Sequence, residues 1–175
     1  MNVPNSLTVF RLFLIPVFIL VFFLSSPTNL LLSVCVYLLA GLTDVLDGFI
    51  ARKFNLITDW GKAADPFADK LMLLTVLACL VVGHYLPLWV LLIVLFKESL
   101  MIIVGLRLYK KGTVIPSNIF GKLSTIFFYL SISVFTFNEI IGKYLIYIAV
   151  LFTLVALTNY ALFYMKNHKG ELSRK

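Results

Sequence analysis

The chain has 175 residues, of which 61% are hydrophobic and 13% are charged, and its formal net charge is +7. Soluble domains carry charge on about a quarter of their residues, so this composition excludes an ordinary soluble protein and indicates an integral membrane protein. The positive charge is spread thinly along one predicted face of the membrane. This distribution argues against nucleic acid as a partner and favours attraction to anionic membrane lipids.

Apolar runs of helical length follow one another along the whole sequence. Hydrocarbon offers no partner for free backbone groups, so spanning segments are helices or closed barrels, and a helix needs about 20 apolar residues. No run shows the alternation of a strand. We therefore predict an all-α integral membrane protein with six transmembrane helices in a single domain over residues 1–175. The predicted spans are 6–24, 30–51, 62–83, 87–106, 117–138 and 142–165.

Basic residues are distributed unevenly between the predicted connections. If the N-terminus is inside, the outer loops contain only Lys143, whereas the inner side holds most of the lysines and arginines. Because such residues accumulate in cytoplasmic loops, both termini are predicted to be cytoplasmic. The first apolar run lacks the features of a cleaved signal peptide, so we expect it to remain as a span.

Acidic residues interrupt two neighbouring predicted helices. Asp44 and Asp47 lie near the cytoplasmic end of the second helix, and Asp65 and Asp69 lie near the start of the third. Spacings of three and four residues place side chains on one helix face, and the short connection makes the two helices antiparallel neighbours. Charged residues within spans usually mark a site, so we expect the four carboxylates to converge. The alternative is salt bridging to nearby basic residues, namely Arg52, Lys62 and Lys70.

An oxygen-rich cluster of this kind suits Mg²⁺ or Mn²⁺. Two such ions bridged by shared carboxylates suit phosphoryl or phosphodiester transfer, and one carboxylate can accept a proton from an attacking hydroxyl. Gly48 and Ala51 leave room for a substrate group or, alternatively, for close helix packing. Arg52 either holds a phosphate with its planar fork or anchors the helix at the inner surface.

The acidic residues belong to a longer pattern, Asp44-x-x-Asp47-Gly-x-x-Ala-Arg followed by Gly61-x-x-x-Asp65-x-x-x-Asp69. This pattern resembles the signature of the CDP-alcohol phosphatidyltransferases. The resemblance extends to Pro4-Asn5-x-Leu7-Thr8-x-x-Arg11 near the start. It implies an enzyme of phospholipid biosynthesis, a homodimer in the plasma membrane of a bacterium, with its active site facing the cytoplasm.

The same resemblance implies a role for each residue of the pattern. Asp44, Asp47 and Asp65 would ligate one divalent cation, and Asp44, Asp65 and Asp69 a second. Asp69 would also be the general base that activates an acceptor hydroxyl, which attacks the lipid-bearing phosphorus of CDP-diacylglycerol and releases CMP. The CDP group would lie against a set of small, polar and charged residues, namely Asn5, Thr8, Asp47, Gly48, Ala51, Arg52 and Gly61.

The acceptor alcohol is predicted from further resemblances. The start of the chain and Gly105-Leu106-Arg107 are similar to family members that use glycerol 3-phosphate and form phosphatidylglycerophosphate. Those members usually have arginine where this chain has Lys97 and lysine where it has Ser124. The residues predicted to bind the acceptor phosphate are basic, namely Arg11, Lys97, Arg107 and Lys122.

Other functions compete with this one. The stretch from Leu39 to Arg52 is also very like the CMP-forming cardiolipin synthases, whose acceptor is phosphatidylglycerol. Serine and inositol phosphate rank behind both acceptors. A cation transporter or channel would distribute ionisable residues through the membrane depth, often in an inverted repeat, whereas this chain concentrates them on one side. A catalytically inactive scaffold is the last alternative.

Overall fold

The computed structural model describes residues 3–24, 28–54, 59–110 and 119–172. These residues form six α-helices and no strand, which confirms the predicted all-α class. The helices are α1 (Val3–Phe22), α2 (Asn29–Lys53), α3 (Asp59–Val82), α4 (Leu88–Lys110), α5 (Ile119–Phe135) and α6 (Glu139–Leu172).

Each predicted span corresponds to one helix, and the differences lie at the helix ends. α6 continues to Leu172, beyond the predicted end at residue 165, because its last turns are polar and hydropathy marks only the apolar part of a helix. α3 begins at Asp59, three residues before the predicted start. Hydropathy misses this start because the residues just before the apolar run include Asp59 and Gly61, which are not apolar.

Two helices in the described part of the chain are long and apolar enough to cross a membrane, over Asn29–Ala51 and Glu139–Leu162. The first of these segments has 23 residues, which rise about 34 Å at about 1.5 Å per residue and match a hydrocarbon core about 30 Å thick. Large apolar side chains such as Leu42 and Phe49 are exposed on α2. Surface of this kind is costly in water, and it supports a membrane protein.

The chain divides into two compact units, Met1–Leu91 and Leu92–Lys175. In the first unit, α1 packs against both α2 and α3, and α2 also contacts α3. Its core is formed by large apolar side chains from all three helices, including Phe18, Tyr37, Met72 and Val76. The three helices therefore contact one another in one packed bundle, and the two predicted acidic segments belong to this unit.

The second unit contains the α5–α6 hairpin. Its turn is tight because Gly142 lies against Phe135, where an added Cβ would be 2.6 Å from the Phe135 Cα. The Asn138 side chain accepts a hydrogen bond from the backbone N–H of Ile141 at 3.0 Å, which caps the start of α6. Further along the hairpin, the buried hydroxyls of Ser124 and Thr153 are 2.7 Å apart, so the two helices also share a polar contact.

Candidate active site

A buried arginine of α1 joins the two aspartates of α2. Arg11 Nη1 lies 2.7 Å from Asp44 Oδ1, and Arg11 Nη2 lies 2.5 Å from Asp47 Oδ2. The Arg11 side chain is 1% exposed and that of Asp47 is 2% exposed, whereas Asp44 is 40% exposed. The guanidinium therefore bridges two carboxylates, one inside the helix packing and one at its edge.

The geometry of α2 explains why one guanidinium reaches both carboxylates. Asp44 and Asp47 are three residues apart, so they lie on the same face of the helix, and α1 packs against that helix. Thr8, one turn before Arg11 on α1, is fully buried. The N-terminal half of α1 thus carries polar side chains at a position where α2 carries acidic ones.

Asp69 lies on α3 and is partly buried. Asp65 precedes it by one helical turn, but the Asp65 side chain lies outside the described residues. Among the side chains that are described, no three from His, Cys, Asp and Glu form a metal-binding group. The four-carboxylate cluster thus stays a prediction. All four aspartates lie in the contacting helices α2 and α3, and three of their side chains are described.

The chemistry of these donors nevertheless fits a hard divalent cation. Asp44, Asp47 and Asp69 offer only carboxylate oxygens, the ligands that Mg²⁺ and Mn²⁺ prefer. Arg11 pairs with Oδ1 of Asp44 and with Oδ2 of Asp47. Because a carboxylate has about four lone-pair sites over its two oxygens, an arginine contact is compatible with metal ligation by the same group.

The residues predicted to contact CDP are distributed over the same three helices. Gly48 and Ala51 follow Asp47 on α2 and are partly buried. Thr8 is buried on α1. The remaining predicted contacts lie on helices α1, α2 and α3, with side chains outside the described residues; they are Asn5, Arg52 and Gly61.

The residues predicted to bind the acceptor phosphate, other than Arg11, belong to the second unit. Lys97 of α4 is buried, and its Nζ donates to Glu98 Oε1 at 2.6 Å. Lys122 of α5 is exposed. Arg107 lies in α4, with its side chain outside the described residues. Ser124 of α5 is buried, and its hydroxyl contacts that of Thr153.

The pairing of Arg11 with the aspartates does not follow from the sequence pattern. The sequence predicts Arg11 at the acceptor phosphate, whereas the structure places its guanidinium on Asp44 and Asp47. One signal pointed to such a pairing: an arginine within an apolar helix usually faces the protein interior and pairs with a carboxylate or a carbonyl. Lys97 is neutralised in the structure by Glu98, its neighbour in the sequence.

The sequence of this chain is similar to those of known proteins. Residues 1–155 match the model of the CDP-alcohol phosphatidyltransferase family. The chain belongs to this family, and it is a transferase of phospholipid biosynthesis. The family is generally dependent on divalent cations.

Several curated relatives carry the same name, CDP-diacylglycerol–glycerol-3-phosphate 3-phosphatidyltransferase. The protein from Bacillus subtilis (strain 168) is 35% identical over 138 residues, which cover 71% of this chain and 70% of the relative. The protein from Rickettsia bellii (strain RML369-C) is 33% identical over 173 residues, which cover 93% of each chain. The protein from Pseudomonas fluorescens is 44% identical over 84 residues, 48% of this chain and 43% of the relative. The chain is therefore similar to bacterial enzymes over most of its length.

Proposed function

We propose that this protein transfers the phosphatidyl group of CDP-diacylglycerol to glycerol 3-phosphate, forming phosphatidylglycerophosphate and releasing CMP. The observation that carries the proposal is the placement of Asp44, Asp47 and Asp69 on α2 and α3, which pack against each other and against α1. The names of the relatives from Bacillus subtilis and Rickettsia bellii support the two substrates.

Four aspartates would hold two divalent cations, Mg²⁺ or Mn²⁺. Asp44, Asp47 and Asp65 form one ligand set, and Asp44, Asp65 and Asp69 form the other. When bound, such ions neutralise the pyrophosphate and stabilise the attacking and leaving oxygens of an in-line displacement. Asp44, with its 40% exposed side chain, is the member of the α2 pair with more access to a substrate.

The chain's own residues bind and orient the nucleotide. Gly48 and Ala51 lack bulky side chains on the helix that carries Asp44 and Asp47, so the CDP group can approach the α2 backbone closely. Arg52 follows at the end of the same helix and holds a phosphate oxygen with its planar donor fork. Asn5 and Gly61 complete the nucleotide contacts, and Thr8 is left out because it is fully buried.

Asp69 accepts the proton of the acceptor hydroxyl as the oxygen attacks. A new bond forms between that oxygen and the lipid-bearing phosphorus, while the bond from this phosphorus to the pyrophosphate bridging oxygen breaks. The electron pair of the broken bond leaves with CMP. Asp69 suits this role because it is only partly buried, so part of its surface is accessible.

A phosphorylated acceptor requires positive charge, and we assign this role to Lys97, Arg107 and Lys122. Arg11 is left out because both of its terminal nitrogens already contact carboxylates. The ammonium of Lys97 is buried, and the carboxylate of Glu98 balances its charge. An incoming phosphate competes with Glu98 for this ammonium.

The membrane arrangement completes the proposal. All six helices span the plasma membrane of a bacterium, both termini are cytoplasmic, and the active site faces the cytoplasm, where glycerol 3-phosphate and CMP are soluble. The protein works as a single domain and as a homodimer. The two long apolar helices support this arrangement, as does the bacterial origin of the relatives.

The direct test is CMP release by the purified protein in mixed micelles of CDP-diacylglycerol with Mg²⁺. Separate reactions contain glycerol 3-phosphate, phosphatidylglycerol, serine or inositol phosphate. We expect release with glycerol 3-phosphate, and loss of that activity on chelation of the metal. Release with phosphatidylglycerol but not with glycerol 3-phosphate would instead identify a cardiolipin synthase.

A further inference from the structure

Arg11 lies at a buried position of the apolar helix α1. Its side chain is 1% exposed, and its guanidinium contacts two carboxylates on successive turns of another helix. Burying a cation is costly unless it is paired and hydrogen-bonded. Ordinary interfacial anchoring does not account for this arrangement, because an anchoring arginine extends its charge towards water.

We propose that Arg11 is a positioning residue that holds Asp44 and Asp47 in the conformation that receives the divalent cation. This inference rests on the proposed function, since it takes these two aspartates as metal ligands. Arg11 touches neither substrate nor reacting atoms in this assignment. It acts through the carboxylates that it orients.

The geometry of the contact favours arginine for this task. Nη1 donates to Asp44 and Nη2 donates to Asp47, so the rigid spacing between two nitrogens of one plane fixes the separation of two carboxylates. A lysine has one ammonium on a flexible stem and lacks such a fork. The Nη2 contact is also a hydrogen bond between buried groups, which restricts the rotamer of Asp47.

Charge provides a second reason. Two carboxylates three residues apart on a helix repel each other, and the repulsion is larger for a buried group such as Asp47 because water screens it less. Without a counter-charge, the two side chains would turn apart before a cation arrives. Arg11 offsets one of the two negative charges and leaves a net negative charge for the metal.

The test measures metal binding separately from catalysis. Full-length wild-type protein and the variants Arg11→Lys and Arg11→Met are titrated in detergent with Mn²⁺, and free Mn²⁺ is followed by electron paramagnetic resonance. The amount of folded protein in each sample is measured by size-exclusion chromatography. Loss of a residue that orients metal ligands typically weakens metal binding by about 10- to 100-fold, and we expect a loss of this size in both variants.

The use of two variants distinguishes a loss of metal binding from a simple folding defect. Arg11→Met removes the charge beside buried Asp47, so its melting temperature without metal should fall. Arg11→Lys retains a charge and is expected to remain folded, yet it loses the fork. The matched control is Lys143→Met, which removes the basic partner of the exposed Glu139–Lys143 pair within α6 and should leave Mn²⁺ affinity unchanged.

Three results would overturn the inference. Unchanged or tighter Mn²⁺ binding in folded Arg11→Lys would show that Arg11 only balances charge or competes with the cation. A raised KM for glycerol 3-phosphate with unchanged Mn²⁺ affinity would return Arg11 to the acceptor site. Absence of Mn²⁺ binding by the wild type would remove the metal site itself. Failure of the proposed transfer is a separate result, because it appears as missing CMP release from a wild-type protein that still binds Mn²⁺.

Discussion

Arg11 of α1 and Asp47 of α2 are 36 residues apart in the chain, and their side chains form a buried ion pair with a nitrogen–oxygen distance of 2.5 Å. The Glu139–Lys143 pair of α6 has the same nitrogen–oxygen distance, but its side chains are 49% and 31% exposed. The two pairs thus differ in burial and in whether they join one helix or two. This contrast allows the energetic contribution of the Arg11–Asp47 contact to be measured against an internal reference.

The buried pair should show the larger coupling energy in a double-mutant cycle. We expect about 1.5–3 kcal/mol for Arg11→Met combined with Asp47→Leu, the range of hydrogen bonds to charged groups, and about 0.3–0.5 kcal/mol for the exposed helical pair. Both cycles use the free energy of unfolding in detergent, measured under the same conditions. Equal coupling in the two cycles would show that burial does not strengthen the Arg11 contact.

Much of the fold could be predicted from the sequence because one physical pattern determines it. Apolar runs of about 20 residues separated by turn-forming residues predict helices, and all six correspond to observed helices. Helix ends were less accurate, as at Asp59 and Leu172, because polar residues extend a helix beyond its apolar part. Packing partners such as α1 with α3 were not predictable, since hydropathy does not say which faces meet.

The candidate site, like the fold, could be predicted from the sequence only in part. The shared face of Asp44 and Asp47 follows from helical spacing, and the structure pairs both with one guanidinium. The identity of that guanidinium was not predictable, because it depends on the tertiary contact between α1 and α2. Ser124 is a further case: its buried contact with Thr153 is set by the α5–α6 packing, which no local pattern encodes.

Replacement of Asp69 with asparagine should reduce turnover strongly and leave the fold intact. Asparagine has nearly the same shape but cannot accept the proton of the acceptor hydroxyl, and loss of a general base typically costs about 10²- to 10⁴-fold in rate. CMP release measures turnover, while melting temperature and protection by added CDP report folding and nucleotide binding. A variant with the wild-type rate would remove Asp69 from the role of base.

Lys97→Met should raise the KM for glycerol 3-phosphate and leave the KM for CDP-diacylglycerol unchanged. The lost interaction is a charge-assisted hydrogen bond worth about 1.5–3 kcal/mol, which corresponds to about a 10- to 100-fold change. Lys97→Arg is the matched variant, because it retains a charge beside buried Glu98 and should keep most activity. A similar increase in KM for both substrates would indicate a general disturbance of the site rather than a role at the acceptor.

Gly142 and Gly121 offer a matched pair for testing the α5–α6 hairpin. Both lie in helices, but a Cβ at Gly142 would be 2.6 Å from the backbone of Phe135, whereas nothing lies within 4 Å of a Cβ at Gly121. Gly142→Ala should therefore destabilise the protein by about 1–3 kcal/mol, the usual cost of overpacking. Gly121→Ala should stabilise it by about 0.5–1 kcal/mol, because alanine favours a helix over glycine by this amount.

Thermal unfolding in detergent measures both substitutions, with helicity followed by circular dichroism. The opposite signs are the decisive feature, since a general effect of alanine would move both melting temperatures in the same direction. If Gly142→Ala melts at or above the wild-type temperature, Phe135 and the start of α6 are not in close contact. The tight turn would then be absent, and with it the register that aligns Ser124 with Thr153.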